Sequence, residues 1–195
     1  YLVIIFSSVI HEYSHGWMAN KLGDPTAKNA GRLTLNPLVH IDLFGTIILP
    51  LFLLLTPGIF IGWAKPVPYN PYNLRGRYGS LKVGLAGPAS NILMAVLLGV
   101  LLRFLTVYYS AFTGIFPPLF LELIGFIVYI NIFLALFNLL PFPPLDGSKI
   151  FEDLFPRYRN QIAAFGFLGV FLALALAFYF LPPIAKLFFQ LILNP

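Results

Sequence analysis

Apolar residues along this chain gather in long blocks separated by short polar stretches. The blocks run over residues 1–22, 41–63, 81–109, 119–140 and 162–181, with a last one of about ten residues at 184–193. About 20 apolar residues span the roughly 30 Å of hydrocarbon in a bilayer, so blocks of this length predict membrane segments. The last is too short to cross and is expected at the interface. Turn-forming Gly23, Asp24 and Pro25 close the first block, and Pro182 and Pro183 close the fifth. Pro50, Pro57 and Gly58 interrupt the second. Residues 26–40, TAKNAGRLTLNPLVH, are too polar to span, and GRLTLNP within them alternates with period two between Gly31 and Pro37. That alternation predicts a short strand or hairpin with Thr34 at its centre. The expected fold is an all-α polytopic membrane protein of about five to six membrane segments, with a small re-entrant β-hairpin-like element after the first helix. Residues 1–160 read as the membrane core and 161–195 as a C-terminal membrane helix region.

Composition agrees with the pattern. Of 195 residues, 59% are hydrophobic and 10% charged, and the mean hydropathy is +0.86. A soluble domain averages about 25% charged residues. The net charge of +5 does not mark a nucleic-acid partner, because the Lys and Arg residues lie scattered in short loops between apolar blocks, as cytoplasmic loops do. There is no cysteine, so disulfides, thiolate metal sites and a cysteine nucleophile are all excluded. Any metal must be held by His and carboxylates. The chain opens on Tyr1, already apolar, and is expected to be a fragment without its natural start.

Inside the first apolar block lies HEYSH, with His11, Glu12 and His15. Ionisable groups in an apolar helix are costly unless something offsets their burial. On a helix, i and i+4 share a face, so both imidazoles can bind one ion while Glu12 sits beside them to handle a water. Zn²⁺ is the ion that this pattern takes. A catalytic zinc needs a third protein ligand and an open position. His40, Asp42, Glu122, Asp146, Glu152 and Asp153 are the candidates. Asp146 is the best placed, since NLLPFPPLDG leaves irregular backbone at the end of a long apolar helix; an N-cap on the following helix explains it as well.

HEYSH in an apolar helix, GDPTAKNAGRLTLNPLVHIDLFGTIILP after it, GWAKPVPYNP, GPASN and NLLPFPPLDG together resemble the site-2 protease family of intramembrane zinc metalloproteases in its minimal form, over residues 1 to about 155. The PDZ and CBS modules of many relatives are not in the sequence. The resemblance implies that His11, His15 and Asp146 ligate zinc and that Glu12 is the catalytic glutamate. It places Asn138 near the substrate, where it could donate a hydrogen bond to the oxyanion, and makes Asn91 of GPASN a structural or substrate-aligning residue.

The substrates implied are membrane proteins with a transmembrane helix, cut within or near that helix. An unwound substrate could pair with a strand edge at Thr34. If His11, Asp146 and Asn91 share one depth, residues 21–40 and 62–81 lie on one side, and 41–63 must enter and leave on that side as a re-entrant or broken segment bent near Pro50 or Pro57. Both polar stretches are rich in Lys and Arg, so the expectation is a multi-pass protein of a prokaryotic cell membrane with its active site towards the cytoplasm. The alternative is a membrane transporter of divalent metal built on the same His pair, which would have no need of Glu12.

Overall fold

The block that opens the chain folds as helix α1, Leu2–Lys21, in a computed structural model that describes residues 1–53, 55, 62–108 and 116–193. Gly23 ends it with φ +104°, a left-handed value that a side chain resists, and the Asp24 N–H reaches back to the carbonyl of Ala19. The chain divides into two compact units, Tyr1–Gly87 and Pro88–Pro195.

In the first unit, α2 (Thr26–Asn29) follows α1. The expected β-hairpin-like element does not form, and no strand occurs among the described residues. Gly31 turns the chain at φ +65°, the Thr34 hydroxyl accepts the Asn36 N–H, and Asn36 Oδ1 accepts the Leu38 N–H to start a 3-10 turn at Pro37–His40. His40 Nε2 then donates to the Thr34 carbonyl at 2.9 Å. The polar positions that made the alternation look strand-like are turn formers whose side chains satisfy the backbone locally.

Asp42 Oδ1 accepts the Gly45 N–H and starts a π-helical stretch, Leu43–Ile48, that runs on into α3 (Leu49–Leu53). In this register the Leu49 N–H bonds the Phe44 carbonyl, so the Gly45 carbonyl would look to Pro50, which has no N–H. The Trp63 N–H supplies the bond instead, at 3.1 Å, and the Thr46 hydroxyl donates to the Trp63 carbonyl. The excursion over 46–62 therefore leaves and returns at one place, with Pro50 at its base; Pro57 and Gly58 lie outside the described residues. From there 62–70 forms no helix or strand, and the N–H groups of Trp63, Lys65, Val67 and Asn70 bond other parts of the unit. Lys65 N–H bonds the His40 carbonyl, and the Lys65 carbonyl accepts from the buried Arg32.

Asp24 ties down the far end of that segment. Its carboxylate is fully buried and accepts from the Thr26 hydroxyl and N–H, the Asn70 N–H and Asn73 Nδ2. Burial by itself would raise its pKa; the bonds from Thr26, Asn73 and Asn70 to the charged form outweigh that and hold it below the usual carboxylate value. A depressed folded value makes the contribution to stability complete above about pH 5 and lost as pH falls through the folded pKa. The unfolding midpoint in detergent is expected to drop below about pH 4. Asp24→Asn should lower stability at pH 7 and flatten that acid limb, whereas an unchanged limb would assign it to other carboxylates.

Helix α4 (Gly79–Val107) carries the chain from the first unit into the second, which continues with α5 (Pro118–Asn138), α6 (Asp146–Leu154), α7 (Arg159–Ala164), α8 (Gly166–Tyr179) and α9 (Leu181–Leu193). Ala95, Leu102 and Leu105 of α4, Ile124, Val128 and Ile132 of α5 and Ala185 of α9 form its core. At Gly99 a Cβ would lie 2.2 Å from Ile192, so α9 packs on α4 where the side chain is smallest. The last apolar run therefore contributes to this core through Ala185, while Ile184, Leu187, Phe188 and Leu191 stay exposed. Pro182 and Pro183 break α8 from α9, which bend by 53°, yet sit in the first turn of α9 where their missing N–H groups are harmless.

By length and composition, α4 and α5 are able to cross a membrane, and α8 with α9 counts as a third if the bent pair is one span. Five to six segments were expected. Helix α1 is long enough but carries His11, Glu12, His15 and Lys21, and the second block holds only the short apolar helix Leu43–Leu53 among its described residues.

Candidate metal centre

Helix geometry brings His11 and His15 together as their spacing requires. Both are buried, with Nε2 atoms 3.0 Å apart and rings edge to face. His15 Nδ1 lies 2.6 Å from the Val83 carbonyl. A carbonyl only accepts, so Nδ1 carries the proton and Nε2 presents its lone pair, which is the tautomer a metal needs. Two nitrogens at about 2.05 Å from a tetrahedral zinc would be about 3.3 Å apart, close to the spacing here. Glu12 completes the cluster, with one ligand atom from each of the three residues all within 4.8 Å of one another.

Space in front of the imidazoles is kept by Gly87. A Cβ there would lie 2.5 Å from Nε2 of both histidines and 2.6 Å from His11 Cε1. The glycine that opens GPASN thus leaves a cradle where the two Nε2 atoms converge, and the donor set and the cradle together fit a zinc ion. Half-buried Glu12 accepts the Val67 N–H at Oε2, 2.7 Å away.

His40 and Asp42 serve the backbone, through Thr34 and Gly45 respectively. Thr34 itself sits half-buried in the turn between α2 and Pro37, next to Leu35 at 55% and Leu38 at 71% exposure.

The remaining residues singled out from the sequence belong to the second unit. Asp146 opens α6, is buried, and its Oδ1 pairs with Lys149 Nζ at 2.9 Å. Its place is fixed by Gly147, where a Cβ would lie 2.3 Å from the carbonyl oxygens of Leu139 and Leu140; only glycine lets α6 begin against the end of α5. Asn138 Nδ2 donates to the Leu134 carbonyl one turn back. Asn91 is buried and donates to Asn131 Oδ1 at 2.9 Å, joining α4 to α5, while Asn131 Nδ2 donates to the Ile127 carbonyl. Sequence reading passed over Asn131, although an asparagine inside an apolar block signals a cross-helix bond. It also passed over Gly87 and the Val67 N–H, and a backbone N–H leaves no trace in a sequence.

The model of Peptidase family M50 matches residues 114–182, a stretch that holds Asn138 and Asp146. YwhC of Bacillus subtilis is 41% identical over 181 residues, which cover 89% of this chain and 79% of YwhC. Rip2 of Mycolicibacterium smegmatis is 33% identical over 193 residues, 96% of this chain and 69% of Rip2. MJ0611 of Methanocaldococcus jannaschii is 36% identical over 75 residues, 36% of this chain and 32% of its own. Each of the three is itself named only as a candidate zinc metalloprotease. No solved structure matches.

Proposed function

This chain belongs to peptidase family M50, the site-2 protease family, and from that membership we propose that it is a membrane-embedded zinc endopeptidase that hydrolyses peptide bonds within or next to the transmembrane segments of other membrane proteins. One observation carries the reading: two imidazole Nε2 atoms converge on a cradle kept open by Gly87, with a carboxylate beside them.

His11, His15 and Asp146 hold the zinc in this proposal. When bound, zinc supplies a Lewis acid that activates water and polarises a peptide carbonyl. Glu12 takes a proton from the attacking water on the carboxylate and returns it to the leaving amine. Asn138 donates to the developing oxyanion through the N–H of its amide that the bond to the Leu134 carbonyl leaves over. Asn91 keeps α4 and α5 in register beside the substrate.

A transmembrane helix hides its carbonyls in its own hydrogen bonds, so it must be unwound before it is cut. With 26–40 folded as turns, segment 62–70, whose Val67 N–H reaches Glu12, is the stretch against which such a substrate would lie. In this proposal Thr34, beside exposed Leu35 and Leu38, is assigned to the substrate side of the same unit. In this reading the basic residues of 21–40 and 62–81 face the cytoplasm of a prokaryotic cell, and the bond from the Trp63 N–H to the Gly45 carbonyl supports a re-entrant second block in a multi-pass chain.

The test is cleavage of a transmembrane reporter by the purified chain in liposomes. Cleavage is expected with zinc, lost on chelation and regained when zinc is restored. Cleavage that survives chelation would overturn the zinc mechanism, and zinc-loaded chain that moves metal across the vesicle but cuts nothing would favour the transporter.

A further inference from the structure

Segment 62–70 does more than line the cluster. It carries prolines at 66 and 68, so between Lys65 and Tyr69 the backbone has a single N–H, that of Val67, and this donor goes to Glu12 Oε2 at 2.7 Å. The residue before a proline is pushed into extended backbone, and both Lys65 and Val67 precede one. The direction of the Val67 N–H is therefore set by covalent restraint rather than by chance packing. The segment is also pinned on both sides of Val67: Lys65 N–H bonds the His40 carbonyl, and Asn70 N–H bonds the Asp24 carboxylate. A Glu side chain on a helix surface has three rotatable bonds, and ordering them costs free energy at each turnover unless a partner holds them.

We propose that the Val67 N–H, aimed by Pro66 and Pro68, is a positioning group for the Glu12 carboxylate. It fixes one oxygen and leaves the other to receive a proton in a defined direction. The proposal rests on the reading of Glu12 as the proton acceptor. Val67 also has a packing duty, for its side chain is buried and its Cγ1 lies 3.0 Å from where a Cβ on Gly16 would be. The experiment has to separate the two.

Val67→Ala keeps the N–H and loses packing; Val67→Pro loses packing and the N–H. The zinc content and the kcat and KM for a transmembrane reporter are compared. Both variants are expected to keep zinc. The kcat of Val67→Pro should fall at least about tenfold below that of Val67→Ala at the same KM, since misplacing a proton acceptor removes stabilisation made only in the transition state. Equal kcat in the two, a fall expressed in KM, or zinc lost from Val67→Pro alone would each overturn the proposal. If Val67→Pro does not fold, the backbone ester at Val67, which replaces only the N–H by oxygen, gives the same expected fall in kcat, and wild-type kcat in the ester overturns it. Glu12→Gln run alongside separates the two levels, because an active Glu12→Gln would remove the reading of Glu12 itself whatever Val67 does.

Discussion

Gly87→Ala is expected to abolish zinc binding while the protein still folds. In the interior of a helix such as α4, alanine is ordinarily better than glycine by about 1 kcal/mol, so by propensity alone the variant should be slightly more stable. At this position the added methyl meets His11 Nε2 and His15 Nε2 at 2.5 Å, a separation that real side chains do not tolerate. The imidazoles must swing away, and His15 in doing so gives up its bond to the Val83 carbonyl. Loss of a single outer partner of a metal-bound histidine already costs about 10- to 100-fold in metal affinity. Blocking the convergence of both Nε2 atoms should cost at least about 100-fold, and cleavage should vanish with the zinc. Zinc titration and thermal unfolding without metal, on the same samples, check both halves. Wild-type zinc affinity in Gly87→Ala would show that the two Nε2 atoms do not ligate from this arrangement.

Glu12→Gln should do the opposite, keeping zinc and losing catalysis. The amide has the shape of the carboxylate, and its oxygen can still accept the Val67 N–H, so the local structure holds. What it lacks is a basic oxygen. General acid–base groups contribute about 10²- to 10⁴-fold, and the fall in kcat should lie in that range. Because Glu12 lies in the same cluster as the histidines, the zinc content decides its role: zinc lost with the carboxylate would make Glu12 a ligand, and activity kept with zinc would move the proton acceptor elsewhere.

These two experiments probe residues of different legibility. Glu12 announces itself, because a carboxylate between histidines at i and i+4 in an apolar run has few structural uses. Gly87 was visible only as the first letter of GPASN, and what makes it matter is the arrival of two imidazoles from a helix more than 60 residues earlier. The same division runs through the fold. Block 119–140 became α5, Pro118–Asn138, and block 81–109 became α4, Gly79–Val107, since long apolar runs bounded by turn formers have one local solution. The period-two reading of 31–37 failed, because Thr34, Asn36 and His40 spend their polar atoms on nearby backbone and leave no ladder to build. The short run 184–193 looked peripheral on length, yet Gly99 and Ala185 let α9 pack against α4 and α5.

By itself, then, the sequence determined the apolar helical character, the bounds of the long helices, and the histidine pair with its neighbouring carboxylate proposed to hold and serve zinc. Each of these follows from spacing within one helix or from composition, and a helix of 3.6 residues per turn converts such spacing directly into position. Tertiary structure decided which carbonyl sets the tautomer of His15, which glycine clears the cradle, which N–H holds Glu12 and which asparagine faces Asn91. Those are contacts between backbone groups, or with the absence of a side chain, across dozens of residues, and neither has a letter of its own in the sequence.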